Sequence, residues 1–266
     1  MPSAVVSELN IYPVKSCRGI SVRQATVVER GFRHDRRWMI ADQDGTFLTQ
    51  REHPRLSLIR TSLGADTCTL STNGFEPLEI PLELTGGTAV GAMIWGDSVR
   101  ALSAEPAANE WISTFLGIPA RFLFMPDESI RPVDPEYAFN SEHVSFADGF
   151  PFLLLSEASV EDLNTRLSSP VPMNRFRPNI VVKDCRPYAE DSWEMISIGA
   201  VRFRVAKPCG RCAITTVDQD RGIKSEEPLR TLATYRSHAG NVNFGQNLVQ
   251  LNRGIIHIDD AVNLLS

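Results

Sequence analysis

The sequence predicts an α+β fold dominated by strands, and three observations carry that reading. Short alternating or β-branched runs recur along the whole chain, separated by Gly, Pro and Asn-Gly punctuation. Convincing amphipathic helices are few. Strands and helices also fail to alternate in the regular way that an all-parallel sheet demands. With 266 residues the chain has room for two modest domains. The prolines at 126, 132 and 135 place the expected connection there, dividing the chain into residues 1–125 and 126–266.

Residues 3–12 read as the first strand, broken at Tyr12-Pro13-Val14-Lys15-Ser16-Cys17-Arg18-Gly19, and residues 20–29 read as its partner. An arginine-dense segment follows (Arg30, Arg33, Arg36, Arg37, Arg51, Arg55, Arg60). Within it, residues 37–42 and 45–50 are expected to form a hairpin about Asp44-Gly45. Residues 67–71, 78–82 and 99–103 continue as strands, with Asn73-Gly74 and Gly86-Gly87 as turns. The span 105–116 is the first helix. Pro106 suits its first turn, Gly117 its C-cap, and Trp111, Ile112, Phe115 and Leu116 form one apolar stripe.

After a strand at 121–125, the second half opens with a loop into a buried strand, 146–155. Residues 156–167 read as a helix capped by Ser156 or Ser159. Asn174-Arg175-Phe176-Arg177-Pro178-Asn179 is a loop feeding a strand at 180–182, and 195–198 with 201–205 form a hairpin over Gly199-Ala200. Residues 213–217, rich in β-branched side chains, read as a strand ending in a turn at 218–222. A short helix at Pro228 and strands at 244–251 and 254–259 complete the chain.

The formal net charge of −5 argues against a general nucleic-acid binder. Five cysteines without regular spacing do not describe a disulfide framework, so a reducing compartment is expected. The N-terminus has no basic segment followed by an apolar one, and the longest apolar run, about 150–155, is far short of a membrane span. The expected location is cytoplasmic.

Lys207-Pro208-Cys209-Gly210-Arg211-Cys212 is the stretch richest in chemistry. A Cys-x-x-Cys pair can be half a zinc site, a dithiol redox centre, or a loop presenting one thiolate. Zinc needs two further ligands, and neither a second pair nor a His-x(3–5)-His motif exists. A thioredoxin-type centre needs a helix after the first cysteine, where a strand is expected instead. The thiolate-presenting loop is left, with Lys207 and Arg211 beside it, and a soft thiolate suits soft or late metals. Spacing alone does not choose between Cys209 and Cys212. Lys15-Ser16, Asp35-Arg36-Arg37-Trp38 and Arg177-Pro178-Asn179 also place fixed charge and amide or hydroxyl donors at strand ends. Together the four loops suit a ligand with a phosphate, a hydrogen-bonding ring system and a thiophilic metal.

Six motifs in order then resemble MOSC-domain proteins, in particular the branch of the mitochondrial amidoxime-reducing component and its bacterial relatives. They are Tyr-Pro-Val-Lys-Ser-Cys-x-Gly, Asp-Arg-x-Trp, Pro-Phe-Leu-Leu-Leu-Ser-Glu-Ala-Ser, Phe-Arg-Pro-Asn-Ile, Glu-Asp-Ser-Trp and Cys-x-Arg-Cys-x-x-Thr-Thr-Val-Asp. The resemblance implies a β-barrel-like MOSC domain packed on a smaller β-rich N-terminal domain, with a molybdenum cofactor (Mo-molybdopterin) between them. It implies Cys212 as the metal ligand, with Gly210, Arg211, Lys15 and Ser16 approaching the cofactor. Arg36, Arg177 and Asn179 would hold its polar and anionic parts, and Gly149 and Phe150 would offer backbone groups. The implied reaction is two-electron reduction of N-hydroxylated compounds (amidoximes, hydroxylamines, N-hydroxylated nucleobases).

Some relatives append a [2Fe–2S] domain. No cysteine follows Cys212, so a separate electron donor of flavin-reductase, ferredoxin or cytochrome type is expected. Residues 190–193 are expected to form a surface loop anchored by Trp193, with an acidic residue there as a candidate proton relay. The alternative is a non-catalytic module that binds the cofactor or carries sulfur for it. A zinc-stabilised protein using Cys209, Cys212 and two of Cys17, Cys185 and a histidine is a third reading.

Overall fold

The computed structural model describes residues 4–138 and 142–265. The start of the first expected strand, at residue 3, lies outside the described residues.

Strand formation follows the alternation in the sequence, and long-range pairing decides the architecture. The largest sheet runs in the order Ile20–Val22, Val5–Ile11, Ile180–Lys183, Phe152–Ser156, Asn241–Gln250, Val201–Gly210, Met195–Ile198 and Val262–Leu264. All neighbours are antiparallel except Phe152–Ser156 and Ile180–Lys183, which are parallel and bridged by the helix Glu157–Thr165. The sheet curls towards closure. Val262 N donates to Ala4 O at 2.7 Å, and Val6 N to Asp260 O at 3.0 Å. Phe32, Phe152, Phe203, Ile196 and Trp193 fill its interior.

A second sheet orders Trp38–Ala41, Arg121–Phe124, Asp97–Ser103 and Ala89–Ile94, and a meander joins Arg60–Leu63, Thr67–Ser71 and Leu78–Pro81. Their shared core is Trp38, Ile40, Phe122, Phe124 and the stripe Ile112–Phe115 of the helix Pro106–Leu116. That helix ends as expected, with Gly117 at φ 72°, a left-handed cap that a side chain would oppose. The second expected helix also forms, and Ser156 Oγ accepts from Ser159 N at 3.1 Å. Among the described residues no helix is long and apolar enough to cross a membrane.

Three expectations need correcting. Residues 20–29 are two strands: Ile20–Val22 pairs with Val5–Ile11, whereas Gln24–Val28 turns away to pair with Gly254–His257 and Gly31–Phe32. The hairpin about Asp44-Gly45 closes, with Asp42 N donating to Thr46 O at 2.9 Å and Leu48 N to Ile40 O at 2.8 Å about the Ala41–Phe47 bridge, but its second arm is shorter than expected and Phe47 N turns to Met93 O at 3.2 Å. Residues 213–216 form a 3₁₀ turn instead of a strand, and only Val217–Asp218 is extended. Threonine hydroxyls make the difference: Thr215 Oγ1 returns to Cys212 O at 3.0 Å and Thr216 Oγ1 to Ala213 O at 2.8 Å. Such local bonds outweigh the β propensity of the side chains.

A candidate cofactor cleft at the sheet ends

Four segments distant in sequence meet at one cleft. The turn after Val5–Ile11 brings Lys15 and Ser16. The turn before Trp38–Ala41 brings Arg36. The loop before Ile180–Lys183 brings Arg177 and Asn179, and the end of Val201–Gly210 brings Cys209, Gly210, Arg211 and Cys212. Gly149 and Phe150 complete the wall, while Phe152, Leu153, Phe176 and Ile214 supply apolar surface. Every residue expected at the site lines this one cleft.

Backbone bonds lock the loops together. Arg36 N donates to Tyr12 O at 2.7 Å, Lys15 N to Trp38 O at 2.8 Å, Asn179 N to Leu153 O at 2.9 Å, and Arg211 N to Val242 O at 2.7 Å. Ser16, Arg36 and Arg177 have φ of 68°, 48° and 55°. Left-handed backbone is uncommon away from glycine and costs of order 1–3 kcal/mol per residue in general, so three cases in one cleft mark a site held against local preference.

The cations are held in different ways. Arg36 Nη1 donates to Asp35 Oδ2 at 2.5 Å and Asn179 Oδ1 at 3.0 Å, and its guanidinium lies 4.4 Å from the Tyr12 ring centre. Arg177 packs on the same ring at 4.3 Å and pairs with no carboxylate among the described residues. Arg211 Nη2 donates to Phe176 O at 2.7 Å and Nη1 to Cys209 Sγ at 3.1 Å, while its Nε is buried without a partner among the described residues. Asn179 is 1% exposed, and its amide is committed to protein: Nδ2 donates to Asn10 O and Asp35 Oδ1, and Oδ1 accepts from Arg36 and Leu153 N. It reaches the cleft wall as a latch between loops.

Three residues at the site were missed in the sequence. Arg51 Nη2 donates to Cys212 Sγ at 3.2 Å and stands 3.5 Å from Asp148 Oδ2, with the guanidinium 4.5 Å from the Trp95 ring centre. Its Nη1 is buried with no hydrogen-bond partner among the described residues. Asp148 accepts from Lys15 Nζ at 2.5 Å and from Trp95 Nε1 at 3.2 Å. Crowding in the cleft would raise the Asp148 carboxyl, but Lys15, Arg51 and the Trp95 N–H hold it well below the usual carboxylate range. Lys15 is only 6% exposed, and burial draws its ammonium down to about 8 in spite of Asp148. Arg51 sits within the arginine-dense segment, and nothing local separates it from its solvated neighbours.

The remaining candidates fall elsewhere. Cys17 is fully buried in the second core and burial pushes its thiol up; Cys185 packs against the first core. Among the described residues no group of three or more His, Cys, Asp or Glu side chains could hold a metal ion, so Cys17, Cys185 and the histidines do not complete a zinc site with Cys209 and Cys212. Trp193 anchors its segment in the core. Glu190 is buried beneath the helix start, accepting from Ser156 N and Ser159 Oγ, and Asp191 binds Arg236 and Gln246. None of the residues 190–193 lines the cleft.

The chain is thus a strand-built protein with a thiol-bearing, cation-walled cleft at its sheet ends. Residues 3–119 match the MOSC N-terminal beta barrel domain and residues 141–263 the MOSC domain. The chain belongs to the MOSC-domain family. It is 37% identical to human mitochondrial amidoxime-reducing component 1, over 98% of this chain and 82% of that one. Rat mitochondrial amidoxime reducing component 2 is 36% identical over 87% of this chain and 72% of its own length. Rice molybdenum cofactor sulfurase is 33% identical over 88% of this chain, which corresponds to 31% of that protein. The family thus ties the chain to molybdenum-cofactor-related function.

Proposed function

We propose that this protein is a molybdenum-cofactor-dependent reductase of N-hydroxylated compounds, supplied with electrons by a separate protein. The carrying observation is convergence: Cys212 and all nine other expected residues line one cleft. The donor set fits the group. Two part-exposed thiols, Cys209 and Cys212, offer soft ligands, and Cys212 Sγ already accepts a guanidinium N–H as a thiolate ligand would. Arg211 Nε and Arg51 Nη1 are buried donors that lack an acceptor among the described residues, and such groups are costly unless a ligand fills them. Arg177, which pairs with no carboxylate among the described residues, suits an anionic phosphate.

In this reading Cys212 Sγ is the protein ligand to the metal. Arg36, Arg177 and Arg211 hold anionic and polar parts, Lys15 and Ser16 approach from the first loop, and Asn179 keeps Arg36 aimed. Gly149 and Gly210 leave room for close backbone approach, and Phe150 closes the wall. When bound, the cofactor supplies the two-electron chemistry, and the protein supplies position and charge. All five cysteines are free thiols, which supports a reducing, cytoplasmic setting.

The test is turnover: protein loaded in a cofactor-making host, reduced by methyl viologen, should convert benzamidoxime to benzamidine. Cys209 in the same cleft, together with the likeness to a cofactor sulfurase, favours a second reading as a carrier of cofactor or sulfur. Loaded protein that exchanges cofactor but turns nothing over would select it.

A further inference from the structure

Lys15 is an unusual lysine. It is 6% exposed, lines the cleft, and is fixed at two points: Nζ donates to Phe146 O at 2.9 Å and to Asp148 Oδ1 at 2.5 Å. An ammonium has three N–H donors. The third has no oxygen or nitrogen acceptor among the described residues, and the Phe47 ring lies 5.6 Å from Nζ. A side chain needed only for positive charge would not require a carboxylate aimed at it from the far wall. Asp148 is itself steered, by Arg51 on one side and Trp95 Nε1 on the other, and its side chain is 57% exposed, so solvent reaches the pair.

We propose that Lys15 is the general acid of the reduction, giving its Nζ proton to the oxygen that leaves the substrate, with Asp148 as its positioning residue. This rests on the proposed function above. For a hydroxylamine-type substrate the N–O bond breaks as two electrons, drawn from the electron-transfer protein, enter the site. The hydroxyl oxygen takes one proton from Lys15 Nζ and departs as water. The nitrogen takes the second proton from solvent, leaving an N–H bond, and Lys15 is then reprotonated from solvent. Asp148 cannot be the proton store, because it stays ionised far below neutral pH. Its charge keeps Lys15 protonated against burial and against Arg36 and Arg131, whose like charges face the same ammonium. An amine drawn to about 8 is matched to donation near neutral pH.

The sign of the pH effect follows. The protonated amine is the active form, so kcat of the loaded wild type falls as pH rises through about 8. Lys15→Arg keeps charge and donors but cannot release a proton in this range. It should retain molybdenum, lose roughly a hundredfold in kcat with benzamidoxime and reduced viologen, and lose the alkaline limb. Asp148→Asn should move that limb below pH 8. In metal-free protein it should move the inflection of the Lys15 Cε shift, read by NMR, in the same direction. An arginine variant with wild-type kcat and an unchanged limb would overturn the assignment. So would one whose activity falls only in proportion to lost molybdenum, which would leave Lys15 with its place beside the cofactor and no part in proton transfer. Loaded wild type that reduces nothing overturns the proposed function itself, an outcome distinguishable from either.

Discussion

Asn179 offers the sharpest test of how the cleft is held. Its amide joins three segments, with Nδ2 donating to Asn10 O at 3.2 Å and Asp35 Oδ1 at 3.3 Å, and Oδ1 accepting from Arg36 Nη1 at 3.0 Å and Leu153 N at 3.2 Å. In Asn179→Ala, Asp35 keeps Arg36 and the Tyr12 N–H at 2.8 Å, but Leu153 N and Asn10 O each lose a buried partner. At about 1–3 kcal/mol for each of the two groups so deprived, the variant should lose about 2–6 kcal/mol. Urea denaturation with an unchanged m value measures it directly. Asn179→Asp sets a second carboxylate where Nδ2 now meets Asp35. The folded pair must then keep a proton that the unfolded chain releases above its ordinary carboxyl range, so the deficit should widen from pH 5 to pH 8. A loss under about 0.5 kcal/mol for the alanine variant, or a pH-independent deficit for the aspartate, would refute the latch.

Arg51→Met removes the guanidinium that joins Cys212 Sγ, Asp148 and the Trp95 ring. Losing one hydrogen bond to an anionic sulfur should cost about tenfold in turnover of loaded protein, with partial recovery in Arg51→Lys, both read in the viologen assay. Gly245 sits mid-strand at φ 78°, and a Cβ there would lie 2.8 Å from Leu154 O. Gly245→Ala should therefore cost about 1–3 kcal/mol, seen as a lowered Tm, with little effect on cofactor chemistry in the fraction that remains folded.

The strand-dominated fold and the site loops were legible because local signals suffice for them. Gly117 and Ser156 cap their helices, and the apolar stripe of 106–116 packs as the periodicity requires. The motif residues reach a common cleft because each lies where a strand ends. What stayed hidden depended on distance or on a competing local bond. Arg51 acquires its role from a sulfur 161 positions away, and Asp148 from Lys15, 133 positions back. The 3₁₀ turn at Ala213–Thr216 was read as a strand because propensity scores the β-branching of threonine and ignores what its hydroxyl can bond. Glu190 and Trp193 carried a motif-like spacing, yet burial gives one a capping role and the other a place in the core. The Gln24–Val28 strand left its expected partner because Gly254–His257, far along the chain, completes its pairing.

The most direct measurement is the metal content of protein purified from a host that makes the molybdenum cofactor, for wild type and Cys212→Ala. A soft thiolate ligand predicts about one molybdenum per wild-type chain, lost in the variant while its fold persists. Molybdenum retained without Cys212, or zinc bound in its place, would contradict the account.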